Sequence, residues 1–298
     1  MLRILCITLV FLSAAFGNTL SVCAIFQNEA PFMKEWIEYH ILLGVEHFYL
    51  YNDRSTDNYQ EILEPYILAG VVDLKDCSQM PGDTHFINQR RAYTRGLNAA
   101  IGRSQWVAFI DLDEFIVPKR CRDLSVMLED YSDRLGVMIN WRKFGTSGYW
   151  EIPQGRLLIE TLTRCSLLDD EDNQISKSII QIDKLPSAYF DEEFVCKNRV
   201  DLVHFHQWVK GKRVGPLANG CWSQYHMPIE EGQINHYWCR NEKYYLEKKV
   251  PRKAFLHHED FNRPNTWPQD KIESYIHLYN LSQDCSILPF AVLLKKRL

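Results

Sequence analysis

No stretch of this 298-residue chain stays apolar over the roughly 20 residues that a membrane-crossing helix requires. No Gly-x-Gly-x-x-Gly follows its first predicted strand and no P-loop occurs, which removes the glycine-rich phosphate cradles of the dinucleotide and P-loop folds. Cysteines are never spaced C-x-x-C, so a structural zinc site lacks its ligand pattern. Basic charge is in no surplus: 34 Lys and Arg face 38 Asp and Glu, a formal net charge of −4, and nucleic acid finds no electrostatic footprint. Linkers, repeats and low-complexity tracts are missing as well. One mature domain over residues 20–298 is therefore expected.

The first residues stand apart from the rest. Met1, Leu2 and Arg3 precede the apolar segment Ile4 to Phe16, with Ala15 and Gly17 spaced as at a cleavage site. Residues 1–17 read as a secretory signal peptide, with an uncleaved N-terminal membrane anchor as the alternative. The expectation is a protein exported, or held at a membrane by that segment. Of nine cysteines eight remain without Cys6, scattered singly. In an oxidising compartment some are expected to pair, while others, such as Cys23 in an apolar strand, behave as small buried hydrophobes.

What is present is an alternation. Ser21 to Phe26 reads as a strand, and Pro31 then opens a helix whose Phe32, Trp36, Tyr39 and Leu43 share one face before Gly44 ends it. Val45 to Tyr51 is a second strand, running into the polar turn Asn52 to Asp57. A helix with Ile62, Leu63 and Tyr66 inward closes at Gly70, and Val71 to Leu74 follows as a third strand. Thr84 to Ile101 is a longer helix with Phe86, Tyr93, Leu97 and Ala100 inward. Strand–helix alternation repeated three times predicts an α/β fold with a doubly wound sheet. Beyond residue 118 the order loosens: a short helix from Leu124 to Tyr131, a strand over Val137 to Trp141, and a flexible loop from Lys143 to Gly148. Asp169 to Asp172 reads as a solvated turn, Val203 to His206 as a strand, Asn241 to Lys249 as helical and Ile272 to Leu298 as a helical tail.

The chain's chemistry concentrates in Trp106 to Pro118. Trp106 to Ile110 is an unbroken apolar run of strand length, the mark of a strand buried on both faces. Asp111, Asp113 and Glu114 follow at its carboxyl end, where open α/β sheets bind their ligands. Two carboxylates separated by one residue at such a place can hold a hard divalent cation that also grips phosphate oxygens. A bare D-x-D is more often a capped turn; the buried strand before it and Phe115 to Val117 after it set this one apart.

The ordered set Phe26-Gln27-Asn28-Glu29, Glu35 to His40, Gly44 to Tyr49, Asp111-Leu112-Asp113-Glu114-Phe115 and Asn235-His236-Tyr237 resembles glycosyltransferase family 92. The likeness runs from about residue 21 to the end, Lys295 included. The turn Asn52 to Asp57 is also similar to the nucleotide-binding turn of family 2 glycosyltransferases, with Arg54 standing where a glycine is usual. The resemblance implies a GT-A fold, Rossmann-like, with a mixed and mostly parallel central sheet flanked by helices. Residues 20–118 would form its nucleotide-binding half and 119–298 its acceptor-binding half. It implies a metal-dependent, inverting transfer of a hexose, commonly galactose from UDP-galactose, to a glycan or glycoconjugate acceptor, with Mn²⁺ or Mg²⁺ at an oxygen-rich site.

Under that resemblance Asp113 ligates the metal, and Asp111 contacts the ribose or the metal through water. His236 matches the histidine that GT-A enzymes often add, although spacing alone leaves it equally a core histidine; His204 and His206 rank below it. Asp53 would accept the N–H of the base, and Gln89 and Arg90 would reach ribose and diphosphate. The carboxylate base of an inverting transfer is assigned to Glu160, and Trp141, Phe144, Tyr149 and Trp150 are candidates to stack on acceptor sugar. Two rivals stand: a nucleotidyltransferase of similar architecture, and a secreted, inactive carbohydrate-binding relative.

Overall fold

The computed structural model describes residues 17–77, 85–198, 200–201, 206–209, 212–214, 225–250 and 269–298. The expected alternation is there as β1 Asn18–Phe26, α1 Ala30–Leu42, β2 His47–Asn52, α2 Tyr59–Leu68, β3 Val72–Asp76, α3 His85–Ala100 and β4 Ser104–Phe109. After it come β5 Glu114–Pro118, α4 Leu124–Glu129, β6 Gly136–Lys143, α5 Leu158–Thr161, β7 Arg164–Cys165, β8 Ser176–Gln181 and α6 Glu192–Lys197. The remainder is β9 Val200–Asp201, β10 His206–Val209, β11 Lys212–Val214, β12 Tyr225–His226, β13 Gly232–His236, α7 Glu242–Tyr244, α8 Gln269–Leu278, β14 Ser282–Gln283 and α9 Leu288–Leu294.

The main sheet runs β3-β2-β1-β4-β8-β6-β13-β5, with β12 beside β6. β4 lies inside it, parallel to β1 and antiparallel to β8. Its apolar run is unbroken because both faces are covered. Trp106 and Ala108 enter the core shared with α1 and α2, while Val107 and Phe109 enter the second core, shared with α3. The fit of α3 is close: a Cβ on Gly96 would lie 2.4 Å from Cys23 Sγ on β1. Glycine there lets helix and sheet backbones approach. The result is a mixed, mostly parallel sheet flanked by helices, the architecture that the resemblance implied, in one domain.

Direction is what matters for function. β1, β2, β3, β4, β6 and β13 share one direction, and β8 and β5 oppose it. The carboxyl ends of the parallel strands and the amino ends of β5 and β8 therefore meet at one edge of the sheet.

Several expectations shift. β1 starts at Asn18 rather than Ser21, because Asn18 pairs with Ser104 and its N–H donates to Arg103 O at 2.7 Å. Lys143 to Thr146 is not a flexible loop: Lys143 ends β6, and Phe144 and Thr146 are fully buried. The tail is two helices, with β14 between them pairing β7. The acidic run is a 3₁₀ turn, yet Asp172 accepts the Tyr279 hydroxyl instead of facing only water. Residues 1–16, which carry the signal or anchor, lie outside the described residues, as does His204; of His206 only the backbone is described. Among the described residues no helix is long and apolar enough to cross a membrane, and the seven described cysteines are free thiols.

Candidate active site

Each parallel strand delivers polar groups to the shared edge as its apolar pattern ends. Glu29 follows β1, Asp53 follows β2, Asp111 and Asp113 follow β4, Lys143 ends β6 and His236 ends β13. Antiparallel β5 and β8 bring Glu114 and Lys177 to the same place from the other direction. Register completes the arrangement. His236 sits opposite Glu114 on one side and opposite Lys143 on the other. The Tyr237 N–H donates to Asp113 O at 2.8 Å, locking β13 to the acidic turn.

Asp113, Glu114 and His236 are all buried, and one ligand atom from each lies within 4.8 Å of the others. His236 Nε2 is 3.5 Å from Asp113 Oδ1, and His236 Nδ1 faces Glu114 Oε1 across 4.0 Å. Neither of those last two atoms makes a hydrogen bond. Glu114 Oε1 has the Lys177 ammonium at 3.2 Å, whereas a buried imidazole nitrogen left so is costly, and a gap of about two metal–ligand bonds of roughly 2.1 Å between such a nitrogen and a carboxylate oxygen is what a small cation fills. The donor set, two carboxylates and one imidazole, fits a divalent ion of the Mn²⁺ or Mg²⁺ kind.

Electrostatics supports that state of the ligands. Burial and the Lys143 ammonium push the His236 imidazole down to about 3, so it is neutral and able to donate a lone pair. Burial works against ionised Asp113, but Lys249 donates to its Oδ2 at 2.6 Å and, with His236, holds the carboxyl well below the usual range. Burial likewise opposes charge on Asp111, and Lys177, donating at 2.7 Å, keeps it ionised. Glu114 is different. Burial, with Asp111 and Asp113 beside it, pushes its carboxyl up to about 8 despite Lys177 at 3.2 Å. A cation placed among these three acids would relieve their crowding. Arg240 braces the turn from behind, donating to Glu29 at 2.5 Å and to Leu112 O at 3.2 Å.

Of the residues expected from the sequence, Asp113 and His236 come together. Asp111 does not join them as a ligand: its carboxylate turns to Lys177 and accepts the Tyr93 hydroxyl at 3.4 Å, and Glu114 takes the third place. Asp53 is buried at the end of β2 and accepts from Asn88 at 3.1 Å. Arg54 beside it has a φ of +60°, the conformation glycine supplies at that position elsewhere. Gln89 and Arg90 lie half-buried on α3, Gln89 donating to the Tyr93 hydroxyl at 3.3 Å and so linked through it to Asp111.

Glu160 is engaged elsewhere. It accepts from Leu157 N as the capping residue of α5, and it pairs with Arg156 at 2.8 Å and Lys295 at 2.5 Å. It thereby joins α5 to the end of α9. Lys177 and Lys249 went unnoticed in the sequence. A lysine inside Ser176-Lys177-Ser178-Ile179-Ile180 was legible as a buried cation in need of an acid; Lys249, in a run with Lys248, was not.

A family model described as glycosyltransferase family 92 matches residues 18–274, ending short of Lys295. A family 92 protein of Oryza sativa subsp. japonica is 29% identical over 212 residues, which is 68% of this chain and 32% of that protein. A galactan beta-1,4-galactosyltransferase of Arabidopsis thaliana is 35% identical over 107 residues, 34% of this chain and 21% of that one. The chain spans about a third of the length of the family 92 relatives it matches. Among solved structures, residues 1–349 of S. aureus TarS align with 87% of this chain and 69% of theirs, at 13% identity and a TM-score of 0.40, too loose a likeness to carry an inference.

Proposed function

Since the chain belongs to glycosyltransferase family 92, we propose that it transfers a hexose from a UDP-sugar to a glycan or glycoconjugate acceptor, with inversion and with a divalent cation at the Asp113–Glu114–His236 cluster. The observation that carries this reading is the 4.0 Å gap between Glu114 Oε1 and His236 Nδ1, a buried nitrogen without a hydrogen bond, at the carboxyl edge of a mostly parallel sheet. A cation bound there supplies charge neutralisation for the diphosphate leaving group.

The chain's own residues do the rest. Asp53, held by Asn88, accepts a base N–H. Asp111, fixed as an anion by Lys177, accepts from ribose hydroxyls. Lys249 keeps Asp113 ionised before the donor arrives, so no proton has to leave that carboxylate on binding. The acceptor oxygen bonds to the sugar's anomeric carbon as the bond from that carbon to UDP breaks, and the hydroxyl proton passes to a base other than Glu160. Galactose is the proposed sugar, supported by the name of the Arabidopsis relative.

Incubation with UDP-galactose, UDP-glucose or UDP-N-acetylglucosamine and Mn²⁺, read as UDP release, tests the proposal. Release fastest from UDP-galactose and absent in EDTA is expected. No release from any of the three, with Mn²⁺ or Mg²⁺, would defeat it.

A further inference from the structure

Buried cations at the cluster need acids, and Lys177, Lys249 and Arg240 have them. Lys177 pairs with Asp111 at 2.7 Å and Glu114 at 3.2 Å, Lys249 with Asp113 at 2.6 Å, and Arg240 with Glu29 at 2.5 Å. Lys143 does not. It is 6% exposed, yet among the described residues no carboxylate lies within 4.0 Å of its Nζ and no hydrogen bond reaches that atom. The carboxylate that acts on it most, Asp172, accepts the Tyr279 hydroxyl instead. Rings stand where an acid would. Nζ is 4.1 Å from the Trp141 ring centroid and 5.9 Å from those of Trp238 and Tyr279. Aromatic faces attract an ammonium, but they return less than a carboxylate does and leave its N–H groups without an acceptor.

The root of this side chain is fixed. The Lys143 N–H donates to Asn173 Oδ1 at 2.9 Å, its carbonyl accepts from Ser166 N at 2.9 Å, and register sets it opposite His236. The Trp141 ring that faces the ammonium also lies 4.3 Å from the His236 ring, so Lys143 borders the cation cluster. Along the shared edge the groups follow strand order: Asp53 past β2, Asp111 past β4, Lys177 on β8, Lys143 on β6 and His236 on β13.

We propose that Lys143 is a catalytic residue whose ammonium donates to the β-phosphate of the UDP leaving group, an inference that rests on the transferase reading above. A donor with its base at Asp53 and its ribose at Asp111 extends along the edge toward β6 and β13, and the phosphate that carries the sugar comes last. That phosphate is the anion which the other buried cations have in their acids and Lys143 lacks. As the bond to the anomeric carbon breaks, its electron pair goes to the β-phosphate oxygen. The ammonium meets the charge that develops there by hydrogen bonding and keeps its proton. Its flexible stem lets the head turn from the rings to the phosphate, and with no acid to leave, the turn breaks no ion pair.

Lys143→Met, which keeps the stem against the rings, tests this, with UDP and UMP as probes in Mn²⁺ and kcat read on the UDP-sugar that wild type turns over fastest. The ratio of UDP to UMP affinity, measured by calorimetry, is expected to fall about tenfold or more, with UMP affinity within about twofold of wild type. The value of kcat should fall about a hundredfold. Lys143→Gln should show the same split, and it decides the matter if Lys143→Met does not fold. A ratio unchanged from wild type, whether both affinities hold or both fall, would make Lys143 a core residue held by its rings and overturn the inference, as would an unchanged kcat. Wild type that fails to bind UDP would defeat the transferase reading itself.

Discussion

Replacing His40 by phenylalanine is expected to flatten the acid side of the stability profile. His40 is fully buried on α1 between Trp36 and Phe115. Its Nδ1 bonds the Trp36 carbonyl at 2.8 Å, and its Nε2 has no partner. Burial pushes the imidazole down to about 3, against about 6.5 in an unfolded chain. A depressed folded value means that the unfolded state takes up the proton first as pH falls. Stability is therefore complete above about 6.5 and lost progressively toward 3. Linkage gives about 2 kcal/mol lost between pH 8 and pH 5 from this one group. In a chain of this size that is a melting temperature lower by about 3 °C. Phenylalanine keeps the ring contact with Phe115 and cannot take a proton. Thermal melts of metal-free wild type and His40→Phe at pH 8, 7, 6 and 5 should differ in slope, wild type losing about 2 kcal/mol more than the variant as pH falls from 8 to 5. Parallel curves would show that His40 is protonated in the folded protein, or solvated, and would refute the reasoning.

Glu160→Gln should leave UDP-sugar turnover within about twofold of wild type and cost about 1 kcal/mol of stability, as loss of a helix cap does; a hundredfold loss of turnover would return Glu160 to the chemistry. Gly96→Ala should destabilise by about 1–3 kcal/mol, the cost of overpacking, because the new methyl meets Cys23 Sγ. Calorimetry of Gly96→Ala with Cys23→Ala should recover part of that loss, and no recovery would place the strain elsewhere. Asp53→Asn should weaken UDP binding about tenfold or more by turning an acceptor oxygen into an amide, while equal affinity would make the turn structural only. Lys177→Met leaves Asp111 and Glu114 without their shared buried cation and should cost about 3–5 kcal/mol; a melting temperature equal to wild type would contradict the ion-pair geometry.

Much of residues 20–118 was legible because the physics there is local. The run Trp106 to Ile110 reads as a strand covered on both faces, and acids at the carboxyl end of such a strand lie at the ligand edge. Gly44 and Gly70, both at positive φ, ended their helices as read. Residues 119–298 were harder, since their elements are short and stabilised by partners far along the chain. β13 is five residues long, and its importance comes from register with β5 and β6, which no local pattern contains.

The choice of Glu114 over Asp111 is of the same kind. In sequence the three acids look alike, and only Lys177, arriving on antiparallel β8, decides which one is drawn away. Glu160 misled because its cap has leucine at the N-cap position, where serine or aspartate would have announced the helix start. Its partner Lys295 lies 135 residues away along the chain.

Calorimetric titration of UDP into wild type and Asp113→Asn, each with Mn²⁺ and again with EDTA, tests the central claim most directly. Tight binding is expected only for wild type with Mn²⁺, with at least about tenfold weaker binding for wild type in EDTA and no response of Asp113→Asn to the metal. Equal UDP affinity in all four titrations would contradict it, because the cluster at the end of β4 would then hold neither the cation nor the diphosphate.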